Sequence, residues 1–163
     1  MGFRLRASSP ALYFSRNLCY CNTVKPHITL LTLGVNDLEK SLTFYRDGLG
    51  LQTEGIIGTE FEDGAVVFFK LQNGLQLALY PKTSLAKDAK VTFNDDKSIQ
   101  SFSIAHNVMS KEEVDSILEQ AKKSGAKITK LAQNTFYGGY AGYFQDPDNY
   151  LWEIAWNPQI LPE

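Results

Sequence analysis

The sequence predicts a mixed α+β domain in which one small unit, a strand, a helix and then further strands, is used twice. Three observations predict it: a composition ordinary for a globular chain, a strand–helix–hairpin pattern from His27 to Tyr80, and the return of the same order from Phe102 to Trp156. The 163 residues are enough for one domain, or for two small halves around a shared core. Apolar residues at 44% and charged residues at 21% exclude a disordered chain and a fibrous repeat. With 16 basic against 18 acidic side chains there is no cationic excess to follow a phosphate backbone, so no nucleic-acid partner is expected. No run approaches the roughly 20 apolar residues that cross a bilayer, so no membrane partner is expected either. Cys19 and Cys21 are too few for a disulfide framework or a zinc site.

In the first unit, His27–Val35 reads as a strand. Asn36, Asp37 and Glu39 then make a good helix N-terminus, with acids at the positive end of the helix dipole. Leu38, Leu42, Tyr45 and Leu49 fall on one apolar face, and Gly48 and Gly50 end the helix. Two β-turn signals follow, Asp63-Gly64 and Asn73-Gly74. The second lies between two apolar runs, Val66–Phe69 and Leu75–Leu79, and signals a hairpin.

After a polar stretch at Pro81–Lys97 the order restarts with a strand at Phe102–Ala105. Ser110 and Glu113 form a capping box. Val114, Ile117, Leu118 and Ala121 supply a helical stripe that Gly125 stops. Ile128–Leu131 and Tyr140–Phe144 read as strands, Asp146–Asn149 as a turn and Leu151–Trp156 as the last strand. Helices of about three turns cannot cover their stripes alone. The expectation is that each packs on the outside of its own sheet, leaving the curved sheet faces to meet.

Residues 1–24 read as a leader outside the fold. The first 26 residues hold four cations, Arg4, Arg6, Arg16 and Lys25, and no acid. This resembles a transit peptide. It also suits a misassigned start, with Val24 as the native beginning. A cytoplasmic protein is expected, or a mitochondrial or plastid one if the leader is a genuine transit peptide. The rest of the chain, free of cysteine, suits a reducing compartment. The domain is expected over 25–158, with modules at 25–82 and 98–158 and a tail at 159–163.

Leu33-Gly34-Val35-Asn36-Asp37-Leu38 running on to Phe44-Tyr45-Arg46-Asp47-Gly48-Leu49-Gly50 resembles the opening signature of the vicinal oxygen chelate superfamily, which holds the glyoxalases, extradiol dioxygenases and bleomycin-resistance proteins. Gly142-Tyr143-Phe144-Gln145-Asp146-Pro147-Asp148-Asn149-Tyr150-Leu151-Trp152-Glu153-Ile154 resembles its closing signature. Asn149 stands where the family usually has Gly, and Asn is the next best residue for a left-handed backbone. The resemblance implies two tandem βαβββ modules whose sheets wrap a shared cavity.

It also implies where a divalent ion would be held. The corresponding positions are Leu30 in the first strand, Ala78 by superposing the two turns, Ser101 or Ser103 in the second module, and Glu153 in the last strand. One carboxylate with no imidazole does not suit an ion that wants three or four protein donors. No metal and no cofactor are therefore expected. Side-chain alternation turns His27 and His106 away from the cavity.

By the same alternation the cavity is lined by Ile28, Leu30, Thr32, Gln76, Ala78 and Tyr80 from the first module. Ser101, Ser103, Leu151, Glu153 and Ala155 come from the second. Tyr137 and Tyr140, in an aromatic, glycine-rich segment, are expected as a flat wall, while Trp152 and Trp156 fall off the cavity face. Glu153 is the candidate anchor or catalytic base, with Ser101, Ser103 and Thr32 as candidate hydrogen-bond partners. The expected function is to bind a small, partly aromatic molecule in a metal-poor cavity, as a homodimer. The alternative is a lyase or isomerase of the lactoylglutathione lyase type, using Zn, Ni, Mn or Fe, with Glu153 as ligand or base.

Overall fold

Alternating apolar residues build two four-stranded sheets, and short helices with one apolar stripe build the layer they share. The structure, a computed structural model, describes residues 27–93 and 101–161. The leader at 1–24 and the expected start of the second module at 98 lie outside the described residues. In the first unit β1 (Leu30–Val35) leads to α1 (Leu38–Thr43), then to β2 (Ile56–Ile57), β3 (Val66–Lys70) and β4 (Gln76–Pro81). A connecting helix, α2 (Lys82–Ala89), follows. The second unit comprises β5 (Ser103–Asn107), α3 (Lys111–Lys123), β6 (Lys127–Asn134), β7 (Tyr140–Gln145) and β8 (Leu151–Trp156). The strand orders are β1-β4-β3-β2 and β5-β8-β7-β6, each with one parallel pair at its first strand. These are the two α+β modules expected. No helix among the described residues is long and apolar enough to cross a membrane.

The local signals act as their chemistry directs. The Asp37 carboxylate accepts from the Lys40 N–H at 3.0 Å and caps α1. Ser110 Oγ accepts from the Glu113 N–H at 3.2 Å, while Glu113 accepts in return from the Met109 N–H at 3.0 Å. Asn73 and Asn149 take the left-handed turn conformation, at φ 53° and 69°. The polar stretch that the sequence leaves unassigned contains α2. That helix has little apolar face and is held by polar contacts instead. Ser84, buried, donates to Asp63 at 3.0 Å, and the Lys87 ammonium pairs with both Glu62 and Asp63.

The helices do not pack outside the sheets as expected; they lie between them. α1 runs on into a wider, π-helical turn over Phe44–Gly48, which buries the adjacent Phe44 and Tyr45 together. The Phe44 ring lies 6.3 Å from Phe144 of β7. The Tyr45 ring lies 5.8 Å from Phe69 of β3 and 5.9 Å from Trp152 of β8. One helix thus touches both sheets. Val114, Leu118 and Ala121 of α3 enter the same cluster as Leu33, Val35, Leu77 and Leu79. Packing in this way covers two helical stripes and two apolar sheet faces with a single core, and it turns the other face of each sheet outward. Gly142 lets α3 settle on β7, because a Cβ there would lie 2.5 Å from Leu118.

Polar groups lock the two units together. Asp148 accepts from the Asn36 N–H at 2.8 Å, the Asn36 amide at 2.9 Å and the Ser41 hydroxyl at 2.6 Å. The Tyr45 hydroxyl donates to Asp146 at 2.5 Å and accepts from the Trp152 indole N–H at 3.1 Å. Asp146 also accepts from the N–H groups of Asp148 at 2.9 Å and Tyr150 at 2.8 Å. Burial pushes its carboxyl up to about 6 and raises the Tyr45 hydroxyl well above its ordinary value. At the other end of α1, Gly48 gives its carbonyl to the Gln120 amide at 2.8 Å, and a Cβ on it would lie 2.5 Å from Ser124 Cβ.

Two measurements test this interface. The native Asp146 holds its proton more tightly than an unfolded aspartate. Its contribution to stability is therefore greatest below about pH 4 and is lost as pH rises through about 6, a fall on the order of 2–3 kcal/mol. Urea unfolding of the wild type minus that of Asp146→Asn, taken from pH 4 to 7, should show that fall; a flat difference would refute it. Gly48→Ala should destabilise the protein by about 1–3 kcal/mol, and adding Ser124→Gly should restore most of the loss in a double-mutant cycle.

Candidate functional site

On the first sheet, pairing fixes which side chains share the outward face. Leu30 stands beside Gln76, Thr32 beside Ala78 and Gly34 beside Tyr80, while Phe68 and Lys70 of β3 lie opposite Ala78 and Gln76. Alternation therefore sends Leu33, Val35, Leu77 and Leu79 into the core and these residues out. Leu30 is 41% exposed and the preceding Ile28 71%. Ala78 is buried because its small side chain sits between larger neighbours in mid-sheet. The Tyr80 hydroxyl donates to the Asp63 carbonyl at 2.6 Å. The segment between α1 and β2 folds across this face and closes a cleft of about 390 Å³ against Ile57, Phe68, Lys70 and Gln76. The Gly55 N–H donates to Thr53 Oγ1 at 3.1 Å and holds the segment's turn, which carries Glu54 between them.

On the second sheet Glu153 lies between Ala105 of β5 and Tyr143 of β7, with Ser103 beside Leu151 one step away. The carboxylate is not alone, for Tyr143 is its register partner on the neighbouring strand. Burial, with the Glu153 carboxylate nearby, pushes the Tyr143 hydroxyl up to about 12. The Lys130 ammonium lies 5.3 Å from the centre of the Tyr143 ring. Lys130, Tyr143 and Glu153 thus form a row across β6, β7 and β8. The ammonium, the phenol and the carboxylate of this row can each meet a ligand's polar atoms.

The expected residues divide between the two sheets. Leu30, Thr32, Gln76, Ala78 and Tyr80 share one outward face, and Ser103 and Glu153 share the other, with Ser101 exposed just before β5. Pairing also settles the register left open between Ser101 and Ser103. Leu30 is two positions ahead of the partner of Ala78, as Ser103 is ahead of the partner of Glu153. With the helix layer between the sheets, one chain does not bring the two sets together. Tyr137 lies near Tyr143 and contributes to its raised pKa. Tyr140 does not join a wall. Its alternation is opposite to that of Tyr143, so it points to the helix side, where its hydroxyl donates to Asp115 at 3.0 Å and Lys111 lies 5.5 Å above its ring. Trp152 is in the core, stacked on Phe144. His106 pairs in register with Ile154, on the helix side of β5, and the exposed His27 precedes β1.

Relatives with a metal would need several donors on these faces, and the residues present do not fit one. The positions that would correspond hold Leu30, Ala78, Ser103 and Glu153. Among the described residues no three His, Cys, Asp or Glu side chains stand together as a metal site. A single carboxylate leaves an ion without its further ligands.

Sequence reasoning missed Tyr143, Phe68, Ile57, Thr53 and the pair Glu54 and Lys70. Two of these were within reach of it. Counting outward from the Asn73-Gly74 turn places Lys70 against Gln76, and counting from the Asp146–Asn149 turn places Tyr143 against Glu153. The fold of the Gly50–Gly55 segment over the sheet carried no such signal.

Comparison with known proteins agrees with this geometry. Residues 26–154 match the family model described as the Glyoxalase/Bleomycin resistance protein/Dioxygenase superfamily. No curated protein matches the chain. Among solved structures, a glyoxalase-related enzyme from Fulvimarina pelagi is 32% identical, covers 82% of this chain and 90% of its own, and superposes with a TM-score of 0.71. A lactoylglutathione lyase from Agrobacterium tumefaciens is 21% identical over 83% of this chain and 97% of its own, at TM-score 0.60. A mutant of the fosfomycin resistance protein FosX from Listeria monocytogenes, complexed with Mn(II) and a dihydroxypropylphosphonic acid, is 23% identical over 80% of this chain and 90% of its own, at TM-score 0.58. The last two likenesses speak to the fold alone. Sequence signatures, paired modules and the match over 26–154 together place the chain: it belongs to the Glyoxalase/Bleomycin resistance protein/Dioxygenase superfamily.

Proposed function

We propose that the chain binds a small, partly aromatic molecule against the outward face of the β1–β4 sheet, in a metal-poor cup that a second copy closes with the outward face of its β5–β8 sheet. The observation that carries this reading is an exposed apolar face beside a formed cleft. Ile28, Leu30 and Ile57 are 71%, 41% and 45% exposed, next to about 390 Å³ of space. Covering apolar surface is worth roughly 25 cal/mol per Å², so a face of this kind favours a partner or a ligand over water. A cleft of this volume with a few placed polar groups is also how small-ligand sites are commonly furnished. Glu153, beside Tyr143, supplies an acceptor from the opposite wall.

A second reading keeps the same pair and gives it chemistry. The Glu153 carboxylate, beside a phenol, could act as general base on a carbon acid, as in a lyase or isomerase of the glyoxalase type.

Native mass spectrometry of untagged protein should show a homodimer carrying an organic small molecule and less than one metal per chain. A bare monomer would refute the proposal, and stoichiometric Zn, Ni, Mn or Fe would favour the metal-dependent alternative. Glu153→Gln should weaken a co-purifying ligand that donates a hydrogen bond to the acid by about tenfold. The same substitution should lower the Tyr143 pKa from about 12 without returning it to 10, because burial remains the larger cause; phenolate absorbance against pH reads the shift. Turnover of the hemithioacetal of methylglyoxal that survives chelation and is lost in Glu153→Gln would replace binding by metal-free catalysis.

A further inference from the structure

The cleft on the first sheet carries two opposite charges that do not pair. Lys70 from β3 and Glu54 from the crossing segment both line it. Among the described residues neither makes an ion pair or a side-chain hydrogen bond, with each other or with anything else. They are held on different elements. Lys70 is set by the hairpin register opposite Gln76, and Glu54 by the turn in which Thr53 accepts from Gly55. Phe68 and Ile57 form the apolar part of the same cleft, and the Gln76 amide adds a group that both donates and accepts.

We propose that this cleft takes a zwitterion, a small molecule bearing both a carboxylate and an ammonium on an apolar or aromatic body, such as an aromatic amino acid or a close derivative. The inference rests on the binding reading above and names the ligand's class. Lys70 and Glu54 stand exposed at the cleft, each free to meet a ligand group of opposite charge. A neutral ligand gains from neither, and a ligand with one charge gains from only one of them. A zwitterion meets both: its carboxylate lies on the Lys70 ammonium, its ammonium on the Glu54 carboxylate, and its body on Phe68 and Ile57. At about 390 Å³ the cleft lies near the lower end of small-ligand sites, which suits a molecule of amino-acid size.

The test is calorimetric titration of the full chain with L-phenylalanine, phenylpropionate, phenethylamine and benzyl alcohol. These probes carry both charges, the negative one, the positive one and none. Phenylalanine should bind at least about tenfold more tightly than any of the other three, as expected for charge-assisted contacts. Lys70→Gln and Glu54→Gln should each weaken it about tenfold while leaving the thermal midpoint unchanged, since both side chains are exposed. The double exchange Lys70→Glu with Glu54→Lys should recover affinity, because a zwitterion can bind turned around. Phenylpropionate binding as tightly as phenylalanine and indifferent to Glu54→Gln would overturn the proposal in favour of a simple anion site. Benzyl alcohol binding as well as phenylalanine would overturn it while leaving the apolar cup standing. Failure of all four, together with no co-purifying molecule in the native mass spectrum, would remove both readings.

Discussion

Tyr45 is the contact on which the arrangement depends. Its ring lies against Phe69 of the first sheet and Trp152 of the second, and its hydroxyl ties Asp146 to the Trp152 indole. A helix that presents one side chain to two sheets must lie between them. The core is therefore a single cluster drawn from both units, and each sheet is left with one face toward the outside. The polar lock around Asp146 and Asp148 is directional where apolar packing is not. It sets how the turn before β8 meets the start of α1. Buried hydrogen-bond networks of this kind add uniqueness to a core whose packing alone would tolerate sliding.

The consequence for function is geometric. A chain whose helices were outside could wrap its own two faces around a ligand. This chain presents them on opposite sides, an apolar cleft with Lys70 and Glu54 on one and the row of Lys130, Tyr143 and Glu153 on the other. In the proposed reading a second copy completes the cup, and symmetry then supplies two cups at once. The polar groups are distributed to suit this. The first face carries the exposed Ile28, Leu30 and Ile57 beside its cleft, and the second carries an acid beside a phenol.

The absence of a suitable donor set follows from the same alternation. Where an ion would want imidazoles and carboxylates, the outward faces hold Leu30, Ala78 and Ser103. The remaining acid, Glu153, stands as the single carboxylate among these positions.

Local chemistry was legible from the chain alone. Strand alternation, the capping residues Asp37 and Ser110, the left-handed Asn73 and Asn149 and the repeated order of elements all depend on neighbours within a few residues, and the structure forms them where the sequence placed them. The outward set Leu30, Thr32, Gln76 and Ala78 was legible for the same reason, because alternation is a property of one strand. Tyr140 was misjudged because the glycine-rich run gave no phase for β7, and α2 was missed because polar contacts to a distant turn hold it. Long-range packing alone sets which side of each sheet the helices occupy, and hence whether the two faces meet within one chain. A helix stripe fits an apolar sheet face equally well from one sheet or from two. The choice was made by contacts more than a hundred residues apart in sequence, Tyr45 with Asp146 and Trp152, whose energy no local pattern reports.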